Sequence, residues 1–354
     1  MMYATPHDEV GPRLGAARVR PWLPEPRGPL TEQLFARLRR PLGSPSGALS
    51  PDEFSASDAG DPTGEDVQLA LYTSLELRFQ GFADVEPDWE LDPGLVALQN
   101  QWGGAFLTAV ADDVGPVHAR TPAEVRGELL AMASGDGPSL SSRMADSGTL
   151  RELREFAVHR SAYQLKEADP HTYAIPRLPA GRAKAAFVEV QADEYGGGRP
   201  GEAHQELFGT TMRALGLDDT YGAYLDHLPA VTLATVNLLS LFGRSRRWLG
   251  ACVGHLALFE MTSVGPMGRY AAAIRRLTGS EAGAHFYDVH VEADEYHQRL
   301  AVDGMVVPFV TESPEMAADV VFGARALGVV EGRLTDHLLD AWSAGTTSLR
   351  RPLP

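Results

Sequence analysis

From Glu65 onward, apolar residues recur at the spacing of helices rather than in the strict alternation of half-buried strands. In DVQLALYTSLELRF, the apolar positions Val67, Leu69, Leu71, Leu75 and Leu77 stand at mixed helical spacing. PGLVALQNQWGGAFLTAVADDV (93–114) predicts a second helix. Thr121-Pro122-Ala123-Glu124 reads as a capping box with proline in the first turn, and so opens a third. Further helices are expected near 148–167, 180–195, 201–215, 219–227, 229–242, 246–263, 266–278, 281–300 and 313–342, punctuated by Pro229, Gly265-Pro266 and Pro314. One short segment, GMVVPFV (304–310), is compatible with an extended conformation. No strand–turn–strand alternation or internal repeat is seen. The fold class that follows is all-α and bundle-like.

The pattern divides the chain. Residues 1–29 and 42–64 are rich in Pro, Gly, Ser and Asp, with one short helix expected near 30–41 between them, so 1–64 reads as a largely flexible leader. Residues 65–145 read as an N-terminal helical layer, and 146–345 as the main helical domain. With 354 residues and 44% apolar composition, the chain can bury a substantial core. The single cysteine, Cys252, excludes an intramolecular disulfide framework and any cluster held by several thiolates. No secretory signal or apolar run of membrane-spanning length is read, so the expected compartment is the cytoplasm. A formal net charge of −16 repels a polyanion such as nucleic acid, and otherwise describes an ordinary acidic surface.

Against that background one helix carries unusual chemistry. In HFYDVHVEADEYHQRL, His290, Asp294 and His297 stand at i, i+4 and i+7, within an arc of about 60° on one helix face. Glu292 and Glu295 point to the far side. Two imidazoles and a carboxylate so aligned can hold divalent iron or manganese, although a charged helix face with chance histidines has the same spacing. In VEVQADEYGGGRPGEAHQELF, Glu194 and His204 are ten residues apart. An unbroken helix would hold them about 80° and about 15 Å apart, but the glycines between them permit a restarted helix and a common target. Glu260 lies in CVGHLALFEMTSV, an apolar helix where a lone carboxylate is costly unless paired or metal-bound. His255 in the same helix reads better as a hydrogen-bonded core histidine. Together these helices offer carboxylates and imidazoles of the kind that build dinuclear centres in bundles, without the repeated Glu-x-x-His pair of ferritin-like proteins.

Gly196, Gly198 and Gly201 also match G-x-G-x-x-G after AAFVEV, with Asp218 and Asp219 downstream, as a dinucleotide site would. The charged run at 189–194 and the absence of further strand–helix units argue against that reading.

The segments RSAYQLKEADPHTYAIPRL (160–178), KAAFVEVQADEYGGGRPGEAHQELF (184–208) and HVEADEYHQ (290–298) resemble the haem-oxygenase-like di-iron oxidases and oxygenases, also described as iron-containing redox enzymes. LYTSLELRFQGFADVEPDWELDPGLVALQ (71–99) extends the likeness, which covers roughly residues 65–345 and is nearest to the N-oxygenating branch. The resemblance implies a haem-oxygenase-like helical bundle with an added N-terminal helical layer. It implies two iron ions held by Glu194, His204, Glu260, His290, Asp294 and His297. An extra carboxylate before the glycine-rich segment, found in some N-oxygenating members, would be Glu167, with Asp169 two positions on.

The activity implied is O2-dependent oxygenation of an amine on an amino acid or small biosynthetic intermediate, with electrons from an external donor. Desaturation or oxidative C–C cleavage at the same centre is the alternative. A haem-binding or metal-free helical binding protein is the alternative of a different class. Relatives also imply a homodimer.

Overall fold

In the computed structural model of the chain, residues 20–44, 49, 54, 60–135 and 139–353 are described. The centre of the bundle is a helix whose composition leaves it no polar face. Leu249–Thr262 (α10) buries nearly every residue it contains, as a helix that is apolar all round must. Its closest neighbour is the long C-terminal helix Ala317–Ser343 (α14). Glycines set that approach. A Cβ on Gly254 would stand 1.8 Å from the Val320 carbonyl oxygen, and one on Gly323 would stand 2.0 Å from that of Ala251.

Around this pair lie Leu150–Gln164 (α6), Arg182–Glu194 (α7), His204–Ala214 (α8), Ala230–Arg244 (α9), Val264–Thr278 (α11) and Glu281–Arg299 (α12). α11 and α12 form a hairpin closed by Gly279 in the left-handed region, and α12 also packs on α8. Beyond Arg299 the helix widens into a π-helical stretch, Leu300–Val306, and continues as Val307–Glu312 (α13).

The N-terminal layer is Glu65–Glu76 (α2), Pro93–Val114 (α3), Pro122–Ala133 (α4) and the short Leu140–Asp146 (α5). Thr121 and Thr149 form the capping boxes of α4 and α6. The helix expected near 30–41 is Pro29–Leu38 (α1). It is fastened rather than loose: the Asp66 carboxylate accepts from the backbone N–H groups of Leu30 and Thr31, and Leu34 and Phe35 are buried. The leader residues 1–19 lie outside the described residues.

Two expectations are corrected and one helix is added to those the sequence predicts. Residues 219–227 form turns ending in a single 3-10 turn, Leu225–His227, because Asp218 caps the N–H of Thr220 and Gly222 takes a positive φ against Pro21. GMVVPFV is helical, since its β-branched residues are drawn into the bundle core, where Val306, Phe309 and Val310 are buried. α5 escapes the periodicity because it has only seven residues.

Candidate metal centre

Two clusters of buried ligand-type side chains lie inside the bundle. The first is Glu167, Glu194, His204 and His290; the second is Glu260, Asp294 and His297. In each, the nearest donor atoms all lie within 4.8 Å of one another.

The first cluster depends on two breaks in the backbone. α7 ends at Glu194, and Gly196, Gly197 and Gly198 all adopt positive φ, turning the chain back so that α8 begins at His204. Glu194 Oε2 and His204 Nδ1 then stand 2.8 Å apart. Gly196 has no room for a side chain, because a Cβ there would meet the Glu202 carbonyl carbon at 2.5 Å. Glu167 follows the end of α6, beside Ala168, the single non-glycine residue with positive φ (72°) among the described residues. Gln205 donates from Nε2 to the Glu167 carbonyl and to Asp169, fixing that turn from α8. His290 donates from Nδ1 to the Phe286 carbonyl at 2.7 Å, which leaves Nε2 as the acceptor nitrogen of a neutral ring.

The second cluster joins two helices. Glu260 Oε2 lies 3.1 Å from His297 Nδ1, and Asp294 Oδ1 lies 3.5 Å from the same nitrogen. The other ring nitrogen of His297, Nε2, is 3.0 Å from Asp193 Oδ2. In the neutral ring, Nε2–H donates to Asp193 and the lone pair of Nδ1 points into the cluster. Ser263 Oγ donates to Asp294 Oδ2 and takes up one of its oxygens.

The clusters share one small enclosed cavity, bounded by Glu167, Glu194 and His290 on one side and by Glu260 and Asp294 on the other. Two atoms in it are orphaned: Glu167 Oε2 and His290 Nε2 are both buried without a hydrogen-bond partner, 3.8 Å apart. A buried lone pair facing a buried carboxylate oxygen is costly unless a cation stands between them. The charge count agrees. Four carboxylates carry −4 and three imidazoles are neutral ligands, which matches two divalent cations.

The titration of the groups shows the same demand for positive charge. Burial raises the Glu260 carboxyl to about 8, with Asp294 and Glu194 adding to it against the hydrogen bond from His297. Burial lowers His290, but Glu167, Glu194 and Asp294 outweigh it and bring the ring to about 10. Burial likewise lowers His297, and Asp294, Glu260 and Asp193 raise it to about 11. Protons and metal ions therefore compete for these sites.

All seven residues singled out from sequence, Glu167 included, fall in the two clusters. Asp169 does not: its carboxylate accepts from Tyr195 and Gln205 and braces the turn. Glu292 and Glu295 are exposed, as the helix-face arithmetic expects. His255 is a core histidine, its Nδ1 3.2 Å from Nε2 of His171, and burial pushes both rings well below the usual histidine range. The glycine motif follows a helix, not a strand, so it cannot be the strand–turn–helix of a dinucleotide site. Asp193 and Ser263 were not read from sequence. The half-exposed Asp193 sits in a charged run and gives no periodic signal, and Ser263 closes an apolar helix.

Comparison with known proteins agrees with this geometry. Residues 154–328, just under half of the chain, match the model of a family described as iron-containing redox enzymes. The match is consistent with the all-α fold and with the buried carboxylate–histidine clusters, whose donor set is compatible with iron. Beyond the family, it is similar to a nitrosourea synthase of Streptomyces achromogenes subsp. streptozoticus, with 25% identity over 291 residues. That similarity covers 82% of this chain and 55% of the relative, so the chain spans about half the relative's length. Among the described residues, no helix is long and apolar enough to cross a membrane.

Proposed function

We propose that Glu167, Glu194, His204 and His290 hold one iron ion, that Glu260, Asp294 and His297 hold a second, and that the protein is an O2-dependent oxygenase acting on the nitrogen of an amine. The observation that carries the reading is the pair of adjoining buried clusters with their unpartnered Glu167 Oε2 and His290 Nε2. Bound iron would supply O2 activation and the two-electron oxidation of substrate, with reducing equivalents from an external donor.

The chain's own part is to hold and protect that chemistry. The Phe286 carbonyl and the Asp193 carboxylate fix the tautomers of His290 and His297. Ser263 holds one oxygen of Asp294 and leaves the other toward His297. Tyr163, Leu256 and Phe259 close the cavity with apolar surface and keep bulk water from the centre. Amine nitrogen as the target is supported by the nitrosourea synthase relative, which shares 25% identity over 291 residues.

The test is anaerobic Fe(II) titration followed by exposure to 18O2 with a panel of amines and amino acids, read by mass spectrometry. Uptake near two equivalents and a labelled oxygen on nitrogen are expected. A Soret band without non-haem iron would overturn the iron reading, while loss of CO2 or of two hydrogens would replace N-oxygenation by C–C cleavage or desaturation.

A further inference from the structure

Glu167 reaches the first cluster from a turn rather than from a helix, so something must fix which side chain of that turn enters the cavity. The residue before it is Lys166, and the two side chains diverge. Glu167 Oε2 stands 3.8 Å from His290 Nε2, while Lys166 Nζ donates to Glu76 Oε2 of the N-terminal layer at 2.6 Å. A slip of the turn by one residue would exchange them and set an ammonium group among the ligand-type side chains.

α2 and the turn after it build the receptor for Lys166. This lysine is 1% exposed, a state the residue reaches only when paired. Glu76 is the last residue of α2, and its side chain is fully buried. Its Oε1 accepts from Tyr221 Oη at 2.5 Å, which leaves Oε2 for Lys166. Tyr72, one turn earlier, and Phe79, just past the helix end, set their rings 5.0 and 4.4 Å from Nζ. From the other side, Gln205 of α8 holds the Glu167 carbonyl and the Asp169 carboxylate. The turn is therefore gripped from two elements that lie far from it in the chain.

A buried ion pair is a poor source of stability, because desolvation of both charges offsets most of their attraction and apolar residues of similar size do as well. What the pair supplies is position, since leaving either partner unmatched is costly. Glu76 also cancels the charge of Lys166, so no net positive charge from the turn competes with a metal ion at the first cluster. We infer that Glu76 and Lys166 are positioning residues of the first cluster: through them the N-terminal layer fixes the turn and admits Glu167 to the cavity. The inference rests on the iron reading only for what Glu167 then holds.

Anaerobic Fe(II) titration of the full chain against a calibrated chelator, paired with hydrogen–deuterium exchange of the metal-free protein, tests this. In Glu76→Gln and in Lys166→Met, one equivalent of iron is expected to bind at least about tenfold more weakly while the other keeps its affinity. The amides of residues 164–172 should exchange at least about tenfold faster. Glu76→Asp, which keeps the charge, should recover part of the loss. The triple variant Glu76→Leu, Lys166→Met, Tyr221→Phe separates position from stability. It removes both charges and the hydroxyl that would lose its acceptor, so its melting temperature should stay near that of the unaltered protein while one iron equivalent remains weak. Two equivalents at full affinity in the folded triple variant or in Glu76→Gln would overturn the inference. So would unchanged exchange at 164–172, or a triple variant that fails to fold, which would make the pair structural. Faster exchange in the variants of a protein that takes up no iron removes the oxygenase reading alone, whereas normal iron uptake with unchanged exchange removes the positioning role alone.

Discussion

Glu194 and His204, ten residues apart in the chain, meet at 2.8 Å because three consecutive glycines with positive φ fold α7 back into α8. Gly196 is the tightest point of that turn, and the two halves of the first cluster depend on it. Gly196→Ala would force a Cβ against backbone atoms at 2.5 and 2.7 Å, as well as imposing the left-handed conformation on a side chain. The expected result is a loss of at least about 3 kcal/mol in stability, with loss of iron binding. Gly198→Ala, which meets nothing within 4 Å, should cost only about 1 kcal/mol. Denaturant unfolding and metal analysis of both variants check the contrast.

His297→Ala or Glu194→Ala should abolish stable iron loading, since each removes a ligand-type group from a cluster of three or four. Glu292→Ala, exposed on the opposite face of α12, should leave iron content and turnover nearly intact. Equal losses from Glu292→Ala would mean that the ligand face is misassigned.

Asp193 acts on the centre through His297 Nε2. Asp193→Ala should weaken iron binding about 10- to 100-fold, the usual effect of removing such an orienting partner. Asp193→Asn, which still presents an acceptor oxygen, should recover most of it. Competition with a calibrated chelator measures both.

A pH effect separate from the metal centre comes from His159, held between Thr232 Oγ1 and Ser348 Oγ and pushed by burial down to about 3. The folded state keeps this ring neutral, while the unfolded chain protonates it near 6.5. Its contribution is therefore complete above about pH 6.5 and is lost as pH falls from there toward 3. At pH 5 the loss relative to pH 7 is about 2 kcal/mol. His159→Gln should show a correspondingly shallower fall in unfolding free energy between pH 7 and pH 5.

The three ligand-type residues of α12, which serve both clusters, are the most legible from sequence, because His290, Asp294 and His297 lie on one regular helix and periodicity alone fixes their common face. Glu194 and His204 were harder: helical arithmetic separates them, and only the glycines hint that the arithmetic fails. Glu167 was reached through family likeness, since its position depends on the left-handed backbone at Ala168, which no local pattern announces. Asp193 was lost among other surface charges, because its role is defined by a ring nitrogen more than one hundred residues away. The helix at 304–310 and the turns at 219–227 were misread for opposite reasons. Core packing overrides β-branched propensity in the first, and a glycine and an aspartate override helical spacing in the second.

The π-helical stretch Leu300–Val306 begins three residues after His297, and it bears on how the chain can change length. A π turn behaves as an α-helix with a residue inserted. Deleting one residue there, such as the exposed Asp303, would return the segment toward regular α-helix while keeping α12 and α13 nearly in phase. The same deletion between His290 and His297 would rotate one ligand away from the other by about 100°. The stretch is therefore the place where this helix tolerates an insertion or deletion, and the ligand-bearing turns just before it are where the reading frame of the face is fixed.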